Sequence, residues 1–108
     1  MNDALQHLYE TVLSRKAEHK EGSYTCYLFE KGLDKILKKC GEECSEVIIA
    51  AKNGDNHETV LELSDLMYHL MVLMVNEGIT LEEVEAELEK RSEKTGNLKK
   101  FHQVDKNS

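Results

Sequence analysis

Apolar residues recur along this chain at spacings of three and four, and the pattern resolves into four main helical stretches. The first runs from about Ala4 to Glu18, with Leu5, Leu8, Tyr9, Val12 and Leu13 on one face and Asp3 with Gln6 as its capping pair. A polar loop, His19 to Ser23, leads into a short turn from Tyr24 to Phe29 that Ser23 caps and Gly32 interrupts. The second main helix covers about Leu33 to Lys52. Its apolar positions Leu33, Leu37, Cys40, Cys44, Val47 and Ala51 are spaced 4, 3, 4, 3, 4, a heptad seam. Asn53-Gly54-Asp55-Asn56 stops that helix and caps the third, about His57 to Glu77, which Gly78 ends. Thr80 caps the fourth, with Glu83 as capping-box partner and Ile79 stapled onto Val84, and it continues to about Arg91.

These elements predict an all-α antiparallel bundle of about four to five helices. No repeat or linker divides the chain. Residues 1–108 therefore read as one domain with a core of about 4–91 and a polar, loose tail over 92–108, where Leu98, Phe101 and Val104 are the groups able to dock. Composition agrees: there is no proline, and aromatics are 6% of the 108 residues, too few for a strand-rich domain.

The third helix carries the informative pattern. Val60, Leu63, Met67, Leu70, Met71 and Met74 form a broad apolar face, widened by Leu66 and Leu73, while Leu61, Tyr68, Val72 and Val75 cover much of the other side. Glu58, Glu62, Asp65, His69 and Asn76 fall in one narrow strip nearly opposite. A solvated strip is the ordinary explanation for any one of them, yet so little of this helix is left to face water that the set stands out. On the second helix Glu42, Glu43 and Glu46 lie to one side of the seam, with Lys35 and Lys39 on that same side. Lys39 and Glu43 at a spacing of four are also a simple surface ion pair.

Register links the two sets. A tight turn at Gly54 makes the helices antiparallel, with Glu46 eight residues before it and Glu62 eight after, Glu43 eleven before and Asp65 eleven after. At ~1.5 Å per residue each pair stands at one height above the turn. If those sides face each other, four carboxylates meet, and such a cluster either raises its pKa values or holds cations. Oxygen-only ligands suit Mg²⁺, with Mn²⁺ as substitute, and Mg²⁺ commonly completes its shell with phosphate oxygens.

Charge sharpens this. Twenty-one acidic against 14 basic residues give a net −7, which argues against nucleic acid and anionic membranes but admits a phosphorylated small molecule held through metal ions. No run approaches the ~20 apolar residues of a membrane span, and the N-terminus shows no signal peptide. Three cysteines read as reduced thiols, so a cytoplasmic location is expected. The nearly all-round apolar third helix, with Ile49 apolar off the seam, predicts a homo-oligomer, most simply a twofold dimer.

Glu42-Glu43-Cys44-Ser45-Glu46 followed by Glu62-Leu63-Ser64-Asp65 resembles the E-x-x-E, spacer, E-x-x-D signature of the all-α, MazG-like nucleotide pyrophosphohydrolases. More narrowly, Ser23-Tyr24-Thr25 with Leu28, the runs Gly32 to Asp55 and Glu62 to Met74, and the tail Gly78 to Arg91 resemble the phosphoribosyl-ATP pyrophosphatase family of histidine biosynthesis. That resemblance implies Glu43, Glu46, Glu62 and Asp65 as Mg²⁺ ligands, with Glu42 as ligand or water-orienting base beside catalytic Glu43 and Glu46. It implies hydrolysis of the α–β phosphoanhydride of phosphoribosyl-ATP. Lys35 and Lys39 would meet phosphate oxygens; Ser23 and Thr25 either bind phosphate or simply cap a helix. Cys40, Cys44 and Cys26 read as small hydrophobes. His69 reads as a partner behind the ligands or a plain buried histidine. Two rivals remain at this point: hydrolysis of free (d)NTPs at the same metal site, and a non-catalytic helical oligomerisation module with solvated glutamates.

Overall fold

Small and capping residues set where the chain turns. The computed structural model describes residues 3–93, in which five helices form and no strand: α1 Ala4–Ala17, α2 Tyr24–Lys31, α3 Leu33–Lys52, α4 Asn56–Glu77 and α5 Leu81–Ser92. Ser23 Oγ accepts from the Cys26 amide at 3.1 Å and starts α2. Asp55 Oδ1 accepts from the Glu58 amide at 3.0 Å and starts α4. At α5 the capping box is complete: Thr80 Oγ1 accepts from the Glu83 amide at 3.1 Å, and Glu83 Oε1 accepts from the Thr80 amide at 2.8 Å. The Thr80 amide and hydroxyl, both donating to it, hold the Glu83 carboxyl below its ordinary pKa. The expected Asp3–Gln6 pair does not form; Asp3 makes no side-chain cap bond, and Gln6 donates to Glu10 one turn on. Gly32 alone separates α2 from α3, at φ +92°, a conformation that favours glycine because a Cβ strains it.

The turn at Asn53–Asp55 folds α3 back along α4, and this hairpin is the most extensive helix–helix interface; α1 packs on α4, and α2 sits against α3 with further contacts to α1 and α4. The core comprises Tyr9, Val12, Leu28, Ile36, Cys40, Met71, Val72, Val75 and Leu81. The Tyr9 hydroxyl donates to the Ile79 carbonyl at 2.9 Å, tying α1 to the turn between α4 and α5. On α1 only Tyr9 and Val12 are buried, and Leu5 and Leu13 stay exposed. Among the described residues no helix is long and apolar enough to cross a membrane. The expected docking groups Leu98, Phe101 and Val104 lie outside the described residues.

Which arc of each hairpin helix turns inward differs from the expectation. On α3 the buried stripe is Ile36, Cys40, Glu43 and Ala50, with Val47 half-buried, while Leu33, Leu37, Cys44 and Ala51 are exposed. At about 100° per residue that stripe is turned roughly 60° from the heptad seam. Glu43 moves from the border of the seam to the middle of the buried face. On α4 the outward residues are Val60, Leu63, Met67 and Leu70 of the expected main apolar face. The inward arc is Met71, Val72, Val75 and His69, with Tyr68 half-buried beside them. The reason is topological. Both α1 and α2 lie on the side of the hairpin where Tyr68, Val72 and Val75 border the polar strip, so part of the strip is carried inside with them.

Candidate active site

Glu43, Glu62 and Asp65 converge where α3 faces α4. One carboxylate oxygen from each lies within 4.8 Å of those from the other two. The antiparallel register accounts for it: Glu43 on α3 and Asp65 on α4 share a level, and Glu46 shares the next with Glu62. Glu46 reaches both Glu43 and Glu62 closely enough to share a proton with either. Burial raises the Glu43 pKa, and the neighbouring Glu46 and Asp65 charges push it further in the same direction. Glu62, half-buried, is also raised, first by desolvation and then by Glu46, Glu43 and Asp65.

Glu43 is the most constrained of the four. It is 5% exposed, and its Oε2 is buried with no hydrogen-bond partner. An unpaired buried carboxylate oxygen costs at least ~1–3 kcal/mol, so the fold tolerates it only where something else satisfies it. A hard divalent cation fits: the donors are all carboxylate oxygens, they converge, and one is already stripped of water. Lys39 is the counter-charge on the rim, 3.8 Å from Glu43 Oε1 and 3.4 Å from Glu42 Oε1. Burial works against its ammonium, but Tyr24, Glu42 and Glu43 outweigh that and raise its pKa.

Behind the carboxylates lies a hydrogen-bonded wall. His69 is 3% exposed, with Nδ1 2.8 Å from the Asp65 carbonyl and Nε2 3.2 Å from the Tyr24 hydroxyl. A carbonyl only accepts, so Nδ1 carries the proton and Nε2 accepts from Tyr24. Both ring nitrogens are thereby engaged, which makes His69 a support and leaves it no free nitrogen for a metal. The Thr25 and Tyr68 hydroxyls are bonded to each other, fastening α2 to α4. Cys40 Sγ donates to the His69 carbonyl at 3.6 Å, as befits a small buried thiol.

Of the residues expected from sequence, the structure thus brings together Glu43, Glu62 and Asp65, with Glu46 adjoining and Lys39 at the edge. Glu42 stands outside that group, paired with Lys39. Lys35 lies beside an aromatic ring, 6.0 Å from the Tyr27 centroid. Ser23 caps α2, and the Thr25 hydroxyl is committed to Tyr68. Glu58 is exposed, and Asn76 donates to Glu77, so the ends of the polar strip take no part. Sequence reasoning missed the tyrosines. Tyr24 and Tyr27 are three apart on one short helix, a spacing that places them on one face, and Tyr68 falls by periodicity among the apolar residues of α4.

Residues 5–92 match the family model described as phosphoribosyl-ATP pyrophosphohydrolase. A phosphoribosyl-ATP pyrophosphatase of Clostridium botulinum is 58% identical over 98 residues, 91% of this chain and 89% of that protein. One from Streptococcus gordonii is 54% identical over 101 residues, 94% of this chain and 97% of its own. The histidine biosynthesis bifunctional protein HisIE of Thermoanaerobacter pseudethanolicus is 64% identical over 80 residues, 74% of this chain and 37% of that larger protein.

Proposed function

The chain belongs to the phosphoribosyl-ATP pyrophosphohydrolase family of hydrolases in histidine biosynthesis, and from that premise we propose the reaction, its metal and its residues. Water attacks the α–β phosphoanhydride of phosphoribosyl-ATP; the bond breaks, and phosphoribosyl-AMP and pyrophosphate leave, the second step of the pathway. The observation that carries this reading is the convergence of Glu43, Glu62 and Asp65 around a buried, unpartnered oxygen. These three with Glu46 would hold Mg²⁺, or Mn²⁺ in its place. When bound, the ion neutralises phosphate charge and acidifies water.

The remaining work falls to the protein. Glu46, reaching both levels of the cluster, accepts the proton of the attacking water at its carboxylate. Lys39 leaves Glu43 for a phosphate oxygen when the cluster's charge is met, and Lys35 lies one turn earlier on α3 for the same purpose. Its ion pair with Lys39 makes Glu42 the alternative proton acceptor once that lysine turns to substrate. Ser23 and Thr25 border the substrate from the first turn of α2. The three free thiols suit a reducing cytoplasm.

The functional unit in this reading is a homodimer. Val60 is 59% exposed, Met67 46%, and Leu63 and Leu70 40% each, a contiguous apolar arc that a second copy of the chain would cover. Pyrophosphate release from phosphoribosyl-ATP, ATP and dUTP, compared side by side, tests the assignment. Phosphoribosyl-ATP should be preferred by at least ~100-fold in kcat/KM, the discrimination expected when a site bonds groups its rivals lack. Equal rates on ATP or dUTP would transfer the enzyme to free nucleotides, and release from none of the three would end the proposal.

A further inference from the structure

Aromatic packing continues from the carboxylates toward solvent. Tyr68, Tyr24 and Tyr27 form a ladder: the Tyr24 ring centroid is 6.1 Å from that of Tyr68 at 28° between planes, and 6.0 Å from that of Tyr27 at 24°. Two of its rungs are fastened. Tyr68 is bonded to Thr25, and Tyr24 to His69, whose ring also meets Tyr24 edge-on at 5.9 Å. Tyr27 ends the ladder. It is 39% exposed, against 44% for Tyr24, and the Lys31 and Lys35 ammonium groups stand 5.8 and 6.0 Å from its ring centroid. Tyr24 and Tyr27 also line a cavity of about 420 Å³, bounded by the 19–23 loop and Glu30, a volume in the range of small-molecule sites.

Building on the pyrophosphohydrolase reading, we infer that Tyr27, backed by Tyr24, is the platform on which the purine of the nucleotide substrate stacks while its phosphates lie at Glu43, Glu62 and Asp65. The Tyr24 hydroxyl bonds His69 beside the carboxylates, and its ring packs on Tyr27. One tyrosine therefore separates the phosphate end from the platform, as a ribose separates phosphate from base. A ladder of near-parallel rings ending in an exposed ring accepts a further flat π-system in the same offset geometry. Lysines resting over that ring mark its electron-rich face, and their flexible stems let them move aside toward phosphate. Because Tyr24 and Tyr68 are already bonded, little ordering is left for the ligand to impose.

The test uses the full chain with saturating Mg²⁺, titrated with AMP and with ribose 5-phosphate, which lacks the base, while tyrosine ring signals are followed by NMR. Wild type should bind AMP roughly tenfold or more tighter, with ring-current shifts at Tyr27. Tyr27→Ala should bring the two ligands level and raise KM for phosphoribosyl-ATP by a similar factor, the loss falling on KM rather than kcat. Tyr27→Phe should restore the AMP preference. Equal binding by wild type, or a preference that survives Tyr27→Ala, overturns the platform. A wild type that prefers AMP through Tyr27 but leaves phosphoribosyl-ATP intact would uphold the platform and remove the reaction assigned above.

Discussion

The inner face of the α3–α4 hairpin carries polar groups among its apolar core, and its outer face carries apolar groups in the open. Inside, Glu43 and His69 are buried and Glu62 is half-buried; outside, Val60, Leu63, Met67 and Leu70 are bare. Each oddity makes sense of the other. Carboxylates withdrawn from water repel one another and lose hydration, so the inner face costs stability that a bound cation would return. A face left apolar on the outside returns stability when a second chain covers it. In the proposed reading the hairpin would carry two sites back to back, one for ions and phosphate, the other for a copy of itself.

The comparison can be broken from either side. Glu43→Gln should lower phosphoribosyl-ATP turnover by about a thousandfold or more, on the scale of losing a principal electrostatic group. The melting temperature should stay level or rise, since a neutral amide replaces a buried carboxylate that repels its acidic neighbours and leaves one oxygen without a partner. If stability collapsed along with turnover, the inner acid would be structural. Met67→Asp strikes the outer face and should weaken self-association by about a hundredfold, a charge being placed in an apolar interface. Light scattering that shows a 108-residue monomer for the wild type as well would leave the outer arc without a partner.

Ion binding sharpens the contrast. Mg²⁺ at about 100 times its Kd should stabilise the chain by ~2.7 kcal/mol, roughly 10 °C or more in Tm for a domain of this size, and Glu43→Gln should abolish the shift. The pH dependence has a definite sign. Glu43 and Glu62 have pKa values raised above the ordinary 4.5, so the ion-free folded chain binds protons at a higher pH than the unfolded chain. Its stability should climb as pH falls from neutrality through those raised values toward 4.5. Saturating Mg²⁺ should reverse that slope, because the ion requires the ionised carboxylates; melting curves across that range, with and without the ion, decide it. The smallest effect serves as control. Thr80→Ala removes the α5 capping box for about 1 kcal/mol, read as faster amide exchange in Leu81–Ser92 with turnover unchanged.

Local chemistry was legible in the chain. Ser23, Asp55 and Thr80 cap as their types and positions suggest, because a cap involves only a side chain and an amide two or three residues on. Asp3 failed where the same rule applied, its backbone lying at φ −101°, ψ 29° instead of the extended conformation the other caps adopt. The pairing of Glu43 with Asp65 and Glu46 with Glu62 followed from counting outward from Gly54, since a tight turn and a fixed rise per residue leave the register no freedom.

By itself, then, the sequence determined the helices, their ends and the levels at which the acids stand. Periodicity describes each helix in its own frame, and the frame alone does not say which arc looks inward. Only tertiary packing decided that α3 would turn about 60° from its apolar seam, burying Glu43 and exposing Leu33 and Leu37. It also decided that α2 would lay Tyr24 against His69 and Tyr68, 45 and 44 residues away in the chain. The physical reason is that burial belongs to neighbours: a side chain's spacing chooses its companions on one helix, and the helices packed beside it choose whether that company meets protein or water.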